Sequence, residues 1–230
     1  MIENEFKSLL SEVAKKVNSI SKNAPSQRKL FKERYSFSNK STDEQLKIWN
    51  YIWNSSSDFW IKIQAFLFCE SQMKNKEFLI NSWDTIKNWQ TQVDNWGHCD
   101  GLSKIYTKIL ELSPSKVLKQ LKVWNKSNNQ WDKRQSLVSL LYFSRTKKTI
   151  LDFEIIIQFI DNLLIDKEYY VQKAVGWSLK ELYNVYPQET LNYLEKNIKN
   201  ISSIAFSPAM EKLQKHEKEK LKKIRQDSRV

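Results

Sequence analysis

An all-α fold, built from short amphipathic helices in series, is what this chain predicts, and three observations carry it. Apolar residues recur at spacings of three and four along nearly the whole length. Only 3 glycines and 4 prolines interrupt 230 residues. No alternating apolar and polar run is bounded by turn residues on both sides, which is the trace a strand and its hairpin leave. Helix starts agree with this. Ser41-Thr42-Asp43-Glu44 reads as a capping box, in which a hydroxyl and a carboxylate each satisfy an early amide. Ser113-Pro114 and Ser207-Pro208 each set a cap before a proline, whose fixed φ and missing N–H suit a first helical turn.

Taken in order, four segments resemble one another: Asp58-Phe59-Trp60-Ile61-Lys62, Asn95-Trp96 onward to Leu112, Gln130-Trp131-Asp132-Lys133-Arg134, and Tyr169-Tyr170-Val171-Gln172-Lys173. Each opens on an aromatic residue, continues as an amphipathic helix and follows the last by about 35 to 40 residues, the period of HEAT-type helix pairs. The spacing predicts a curved array of helix hairpins with a concave face; a plain helical bundle is the alternative. A single domain over 1–230 is expected, with N-terminal helices over 1–55, a repeat core over 58–187, and C-terminal helices with a basic tail over 188–230.

Charge narrows the partner. With 38 Lys and Arg against 26 Asp and Glu, the formal net charge is +12, which suits an extended polyanion, nucleic acid ahead of an anionic membrane surface. Two distant cysteines, Cys69 and Cys99, and two histidines, His98 and His216, form no zinc, haem or iron–sulfur spacing. So few glycines leave no phosphate-cradling loop, which excludes nucleotide hydrolysis. The first residues carry no leader pattern and no long apolar span follows, so a cytoplasmic protein is expected, with no membrane partner and no metal or organic cofactor. The three glycines lie beside chemistry-bearing residues, in Trp96-Gly97, Asp100-Gly101 and Gly176-Trp177. In a glycine-poor chain they mark close approach to the backbone.

Helical phase then sorts faces. Over Tyr170 to Tyr186, Val171, Val175, Leu179, Leu182 and Tyr186 fall on one side, and Trp177 falls opposite, with Lys173 and Lys180. A tryptophan is usually packed in a core, but an indole between two lysines is better placed to meet a flat or cationic ligand. In the second of the four segments Leu102, Ile105, Tyr106 and Ile109 point inward, which leaves Asp100, Lys104 and Thr107 outward with Trp96 near them. A carboxylate on a lysine-bearing face would repel phosphate, so its presence suggests a specific task. Arg134 sits at the edge of the Leu137, Val138 and Leu141 stripe. It is either an arginine snorkelling past apolar neighbours or a guanidinium held to clamp one phosphate.

At these residues the chain resembles the AlkD-type DNA alkylation-repair glycosylases, which are built from HEAT-like repeats. The matching stretches are Asn95-Trp96-Gly97-His98-Cys99-Asp100, Trp131-Asp132-Lys133-Arg134, and Val171-Gln172-Lys173-Ala174-Val175-Gly176-Trp177, and the resemblance runs from about Asp58 to Pro187. It departs in the Gly97-His98-Cys99 filler and before residue 55, where Tyr35 and Phe37 are the candidates for the family's N-terminal aromatic near the lesion. The resemblance implies a right-handed superhelical array of HEAT-like antiparallel helix pairs with a concave basic face, acting as a monomer on double-stranded DNA that contains alkylated bases. It further implies hydrolysis of the N-glycosidic bond of N3- or N7-alkylated purines without a base-flipping pocket. Asp100 would be catalytic, Trp96 and Trp177 would hold the sugar and backbone, Arg134 would pin a phosphate, and Lys104, Lys173 and Lys180 would add salt-dependent affinity. The rival readings are a non-catalytic binder of distorted DNA on the same scaffold and a protein-interaction scaffold. The lysine-rich tail from Lys212 to Arg225 reads as a solvated basic helix end that could brush DNA.

Overall fold

The computed structural model describes residues 2–227, so the outermost residues of the expected 1–230 domain lie outside the described residues. Among the described residues there are thirteen α-helices, two short 3-10 segments and no strand, and no helix is long and apolar enough to cross a membrane. The chain divides into two compact units, Met1–Leu112 and Ser113–Val230.

The first unit holds α1 (Ile2–Asn18), α2 (Ala24–Lys32), α3 (Thr42–Ser55), α4 (Phe59–Ser71), α5 (Lys76–Ile86) and α6 (Trp96–Leu112). Helix α3 starts at the capping box read from the sequence, with the Ser41 hydroxyl and the Glu44 carboxylate exchanging bonds with each other's amides. Asp58 starts α4 by accepting the Trp60 and Ile61 amides. The core is strongly aromatic: Trp49, Trp53, Trp83, Trp89, Phe37, Phe68 and Tyr106 are fully buried. Burying an indole requires a partner for its N–H. Trp53 and Trp89 meet this by stacking at 5.0 Å, with Trp53 Nε1 donating to the Trp89 carbonyl and Trp89 Nε1 to Asn50 Oδ1. Tyr35 and Phe37 belong to this core. They stack on one another and meet Trp49 edge-on, and the Tyr35 hydroxyl donates to Gln64, so neither is the surface aromatic that the resemblance called for.

The second unit holds α7 (Pro114–Asn125), α8 (Gln130–Leu141), α9 (Phe153–Asp161), α10 (Tyr169–Tyr183), α11 (Pro187–Asn197), α12 (Ser203–Ala209) and α13 (Lys215–Asp227). Helix α10 lies at its centre, packed on α8, α9, α11 and α12. Val171, Val175, Leu179 and Leu182 are fully buried as their phase requires, but the helix ends at Tyr183, and Tyr186 stands outside it, half-buried, donating its hydroxyl to the Leu151 carbonyl. Gly176 explains how closely α12 can approach: a Cβ there would lie 2.3 Å from the Ala205 carbonyl oxygen and 2.7 Å from Pro208 Cγ.

Ser207-Pro208 does not start a helix. Ser202 caps α12 through the Ala205 amide, and Pro208 lies inside that helix one residue before its end, where the missing N–H helps to terminate the ladder. Ser113 and Pro114 do flank the start of α7. In α13 the lysine-rich tail is a packed helix rather than a free end. Leu221 is fully buried and Arg225 stacks 4.2 Å over Phe206, while Lys215, Lys220, Lys222 and Lys223 stay exposed.

Candidate active site

In the first unit the candidate residues sit on the opening turns of α6. The cap that starts this helix is Asn95, whose Oδ1 accepts the His98 amide at 2.9 Å. Its amide nitrogen faces His98 Nδ1 at 2.7 Å. An amide NH₂ can only donate, so Nδ1 accepts and the imidazole proton resides on Nε2, which donates to the Phe59 carbonyl at 3.2 Å. The ring also stacks on Phe59 at 4.7 Å and is 1% exposed. Burial, reinforced by the Lys62 charge, lowers the His98 pKa against the opposing pull of the Phe59 carbonyl and Asp94. His98 is therefore a neutral pin between α4 and α6 that fixes the direction in which α6 leaves its cap.

From that start, Trp96, Asp100 and Lys104 follow at intervals of four and share one face. Five of the nine tryptophans are buried and three are half-buried; Trp96, at 57%, is the exposed one. Asp100 is half-buried, and Leu102, Ile105, Tyr106 and Ile109 point into the core as expected. Thr107, expected outward, is buried. The glycines here answer to the protein's own rings, since a Cβ on Gly97 would press on Phe59 and one on Gly101 on Phe66. Lys104 is not a loose surface cation. Glu70 of α4 takes its ammonium and, at 2.6 Å, the guanidinium of Arg28. Burial opposes ionisation of Glu70, but those two hydrogen bonds outweigh it and hold the carboxyl below its usual range.

In the second unit Arg134 and Trp177 are organised around α10. Arg134, on the first turns of α8 beside fully buried Leu137, Val138 and Leu141, is 8% exposed and donates through Nη1 to the Tyr170 carbonyl at 3.2 Å. Trp131 packs on the Tyr170 ring at 4.8 Å with the planes tilted by 35°, so α8 holds the start of α10 by a ring and a guanidinium. Trp177 is half-buried rather than fully outward, because its ring packs 6.0 Å from Tyr142 at the end of α8. Lys180 Nζ lies 5.8 Å from the Trp177 ring centroid, and Glu211 at 3.6 Å and Glu181 at 4.0 Å balance its charge. Lys173 is exposed.

Sequence reasoning missed Glu70, Tyr142 and Phe143. Glu70 lies 34 positions from the lysine it holds, and no local pattern announces such a pair. The cap at Asn95 was also passed over, although an asparagine three residues ahead of the amide that it accepts is the local signal that could have found it.

A chain of thirteen α-helices and no strand among its described residues is similar in fold to the AlkD-like helical-repeat proteins. The chain belongs to the DNA alkylation repair enzyme family, whose model matches residues 5–213. That membership supports a role in DNA alkylation repair with DNA as the partner. Among solved structures it is similar to a predicted DNA alkylation repair enzyme from Enterococcus faecalis, at 17% identity and a TM-score of 0.67 over 84% of this chain and 87% of that one. It is also similar to AlkD2 from Streptococcus mutans, at 18% identity and 0.59 over 96% and 97%, and to smu.31 from Streptococcus mutans UA159, at 17% and 0.55 over 98% of both. At these identities the likeness is one of fold. No curated protein matches the chain.

Proposed function

We propose that this protein is a monofunctional DNA glycosylase that hydrolyses the N-glycosidic bond of cationic N3- or N7-alkylated purines in duplex DNA. The observation that carries this reading is the pairing of exposed Trp96 with half-buried Asp100 one helical turn away, in a chain of net charge +12. An alkylated purine already bears positive charge and departs with the bonding electrons, which neutralise it, so it needs no proton from the protein. Positive charge then grows on the deoxyribose. A fixed carboxylate aimed at that charge stabilises the transition state more than the ground state, and Asp100 takes this role. Water adds to the sugar carbon and gives up a proton to solvent, and Asp100 orients that water for attack. The exposed face of Trp96 holds the sugar and favours the developing cation, and Trp177, in the second unit, offers its face to the backbone. Arg134 positions a phosphate, and exposed Lys173 adds counterion-release affinity. Because Lys104 and Lys180 are engaged by carboxylates, they contribute less to that affinity than their charges alone suggest.

The test is single-turnover release of 7-methylguanine from methylated duplex by the parent and by Asp100→Asn. Loss of one group of this kind costs about a hundredfold or more in rate. DNA affinity is expected to stay level or tighten, since a negative charge leaves the binding face. A parent protein that releases no alkylated base while binding the duplex would place it with the non-catalytic DNA binders instead.

A further inference from the structure

Phe143, immediately after α8, combines two properties that a bulky apolar residue avoids. Its φ is +50°, in the left-handed region that favours glycine, and its side chain is 56% exposed. Both are imposed by neighbours. Its carbonyl accepts from the Thr146 amide and the Thr146 hydroxyl, each at 2.9 Å. The next residue is clamped by Glu181 of α10, a buried carboxylate whose Oε2 accepts the Ser144 amide at 3.1 Å and lies 2.7 Å from the Ser144 hydroxyl. Strain held this firmly, at a side chain left 56% exposed, points to a use outside the free protein.

The surroundings indicate what that use is. The Phe143 ring meets Tyr142 edge-on at 4.6 Å, and Tyr142 in turn lies 6.0 Å from Trp177, so three aromatic rings run in sequence from the end of α8 to α10. The following turn carries Arg145, Lys147 and Lys148, with Arg145 and Lys148 exposed. A projecting ring on a rigid backbone, backed by other rings and flanked by cations, fits a base that has lost its stacking partner inside a polyanionic duplex. An apolar protein partner would not draw on that flanking charge.

We propose that Phe143, backed by Tyr142 and Trp177, is a wedge that stacks on the exposed base at an interruption in duplex DNA, so that the protein prefers distorted to regular duplex. This rests on the reading of the protein as one that acts on DNA, and the test separates the two. Fluorescence anisotropy is measured with a duplex carrying one tetrahydrofuran abasic analogue and with its fully paired counterpart, at two salt concentrations. Phe143→Gly relieves the backbone strain, so it is expected to melt at or above the parent. It should nevertheless lose about tenfold in affinity for the interrupted duplex and much less for the paired one, with the salt dependence unchanged, because stacking and not charge is removed. Phe143→Trp should restore the preference. If the parent prefers the interrupted duplex and Phe143→Gly keeps that preference, or loses affinity equally for both, the wedge is refuted and the glycosylase reading stands. If the parent binds neither duplex at either salt concentration, both readings fail.

Discussion

Gly176→Ala tests how tightly α12 is held against α10. The new Cβ would lie 2.3 Å from the Ala205 carbonyl oxygen and 2.9 Å from its carbon, against the 3.4 Å at which ordinary contact begins. Two of the three nearest atoms are backbone, so a rotamer change gives no relief and α12 has to retreat by about 1 Å. A gap of that size forfeits a quarter to a half of the dispersion attraction across the seam, where Ala205 and Ala209 are fully buried. Overpacking typically costs about 1–3 kcal/mol, at the upper end or beyond when backbone must move. Replacing a mid-helix glycine by alanine returns about 1 kcal/mol of helix propensity. A net destabilisation of about 1–3 kcal/mol remains, or roughly 3–10 °C in melting temperature for a chain of this length. Thermal unfolding followed by far-UV circular dichroism measures it. Gly101→Ala is the control, because the atoms within 3.0 Å of its Cβ all belong to the half-buried Phe66 ring, which can swing aside. A Gly176→Ala protein that melts at or above the parent would show that α12 is not held against Gly176.

Asp100→Asn is expected to lose about a hundredfold or more in single-turnover base release while retaining DNA affinity; an unchanged rate would remove Asp100 from the chemistry. Arg134→Ala should weaken duplex binding and flatten its salt dependence, and an unaltered slope in a titration against salt concentration would leave Arg134 a purely structural partner of the Tyr170 carbonyl. His98 has a lowered pKa in the folded protein, so its contribution to stability is complete above about 6.5, the value it regains on unfolding, and declines as pH falls through the folded value. Urea unfolding between pH 7.5 and 5 should show this as a loss of up to about 1.4 kcal/mol per pH unit, and His98→Gln should lose less over the same interval.

Much of the fold was legible because helical phase is a local property. The buried faces of α6 and of α10 up to Leu182 follow directly from spacing, and the Ser41 cap from four consecutive residues. What was not legible depends on residues distant in sequence. Tyr35 and Phe37 look like free surface aromatics until Trp49 and Gln64 close over them. Ser207-Pro208 reads as a start only while the cap at Ser202 is overlooked. Thr107 was assigned outward by phase, yet phase describes one helix and not what packs beside it. The positive φ of Phe143 has no local signature, because neither glycine nor asparagine stands there to announce it.

The same contrast bears on whether Asp100 catalyses or merely decorates. A protein of charge +12 that only had to hold DNA would gain affinity from replacing a carboxylate beside its most exposed indole, and asparagine would keep the size while removing the repulsion. Lys104, one turn further along the same face, is engaged by Glu70. A carboxylate at the start of α6 disfavours phosphate and favours a sugar that becomes cationic only as its bond breaks, which is the difference between a binding group and a catalytic one. The single-turnover rate of Asp100→Asn should fall while its equilibrium affinity stays level or tightens, and a fall in both together would refute this.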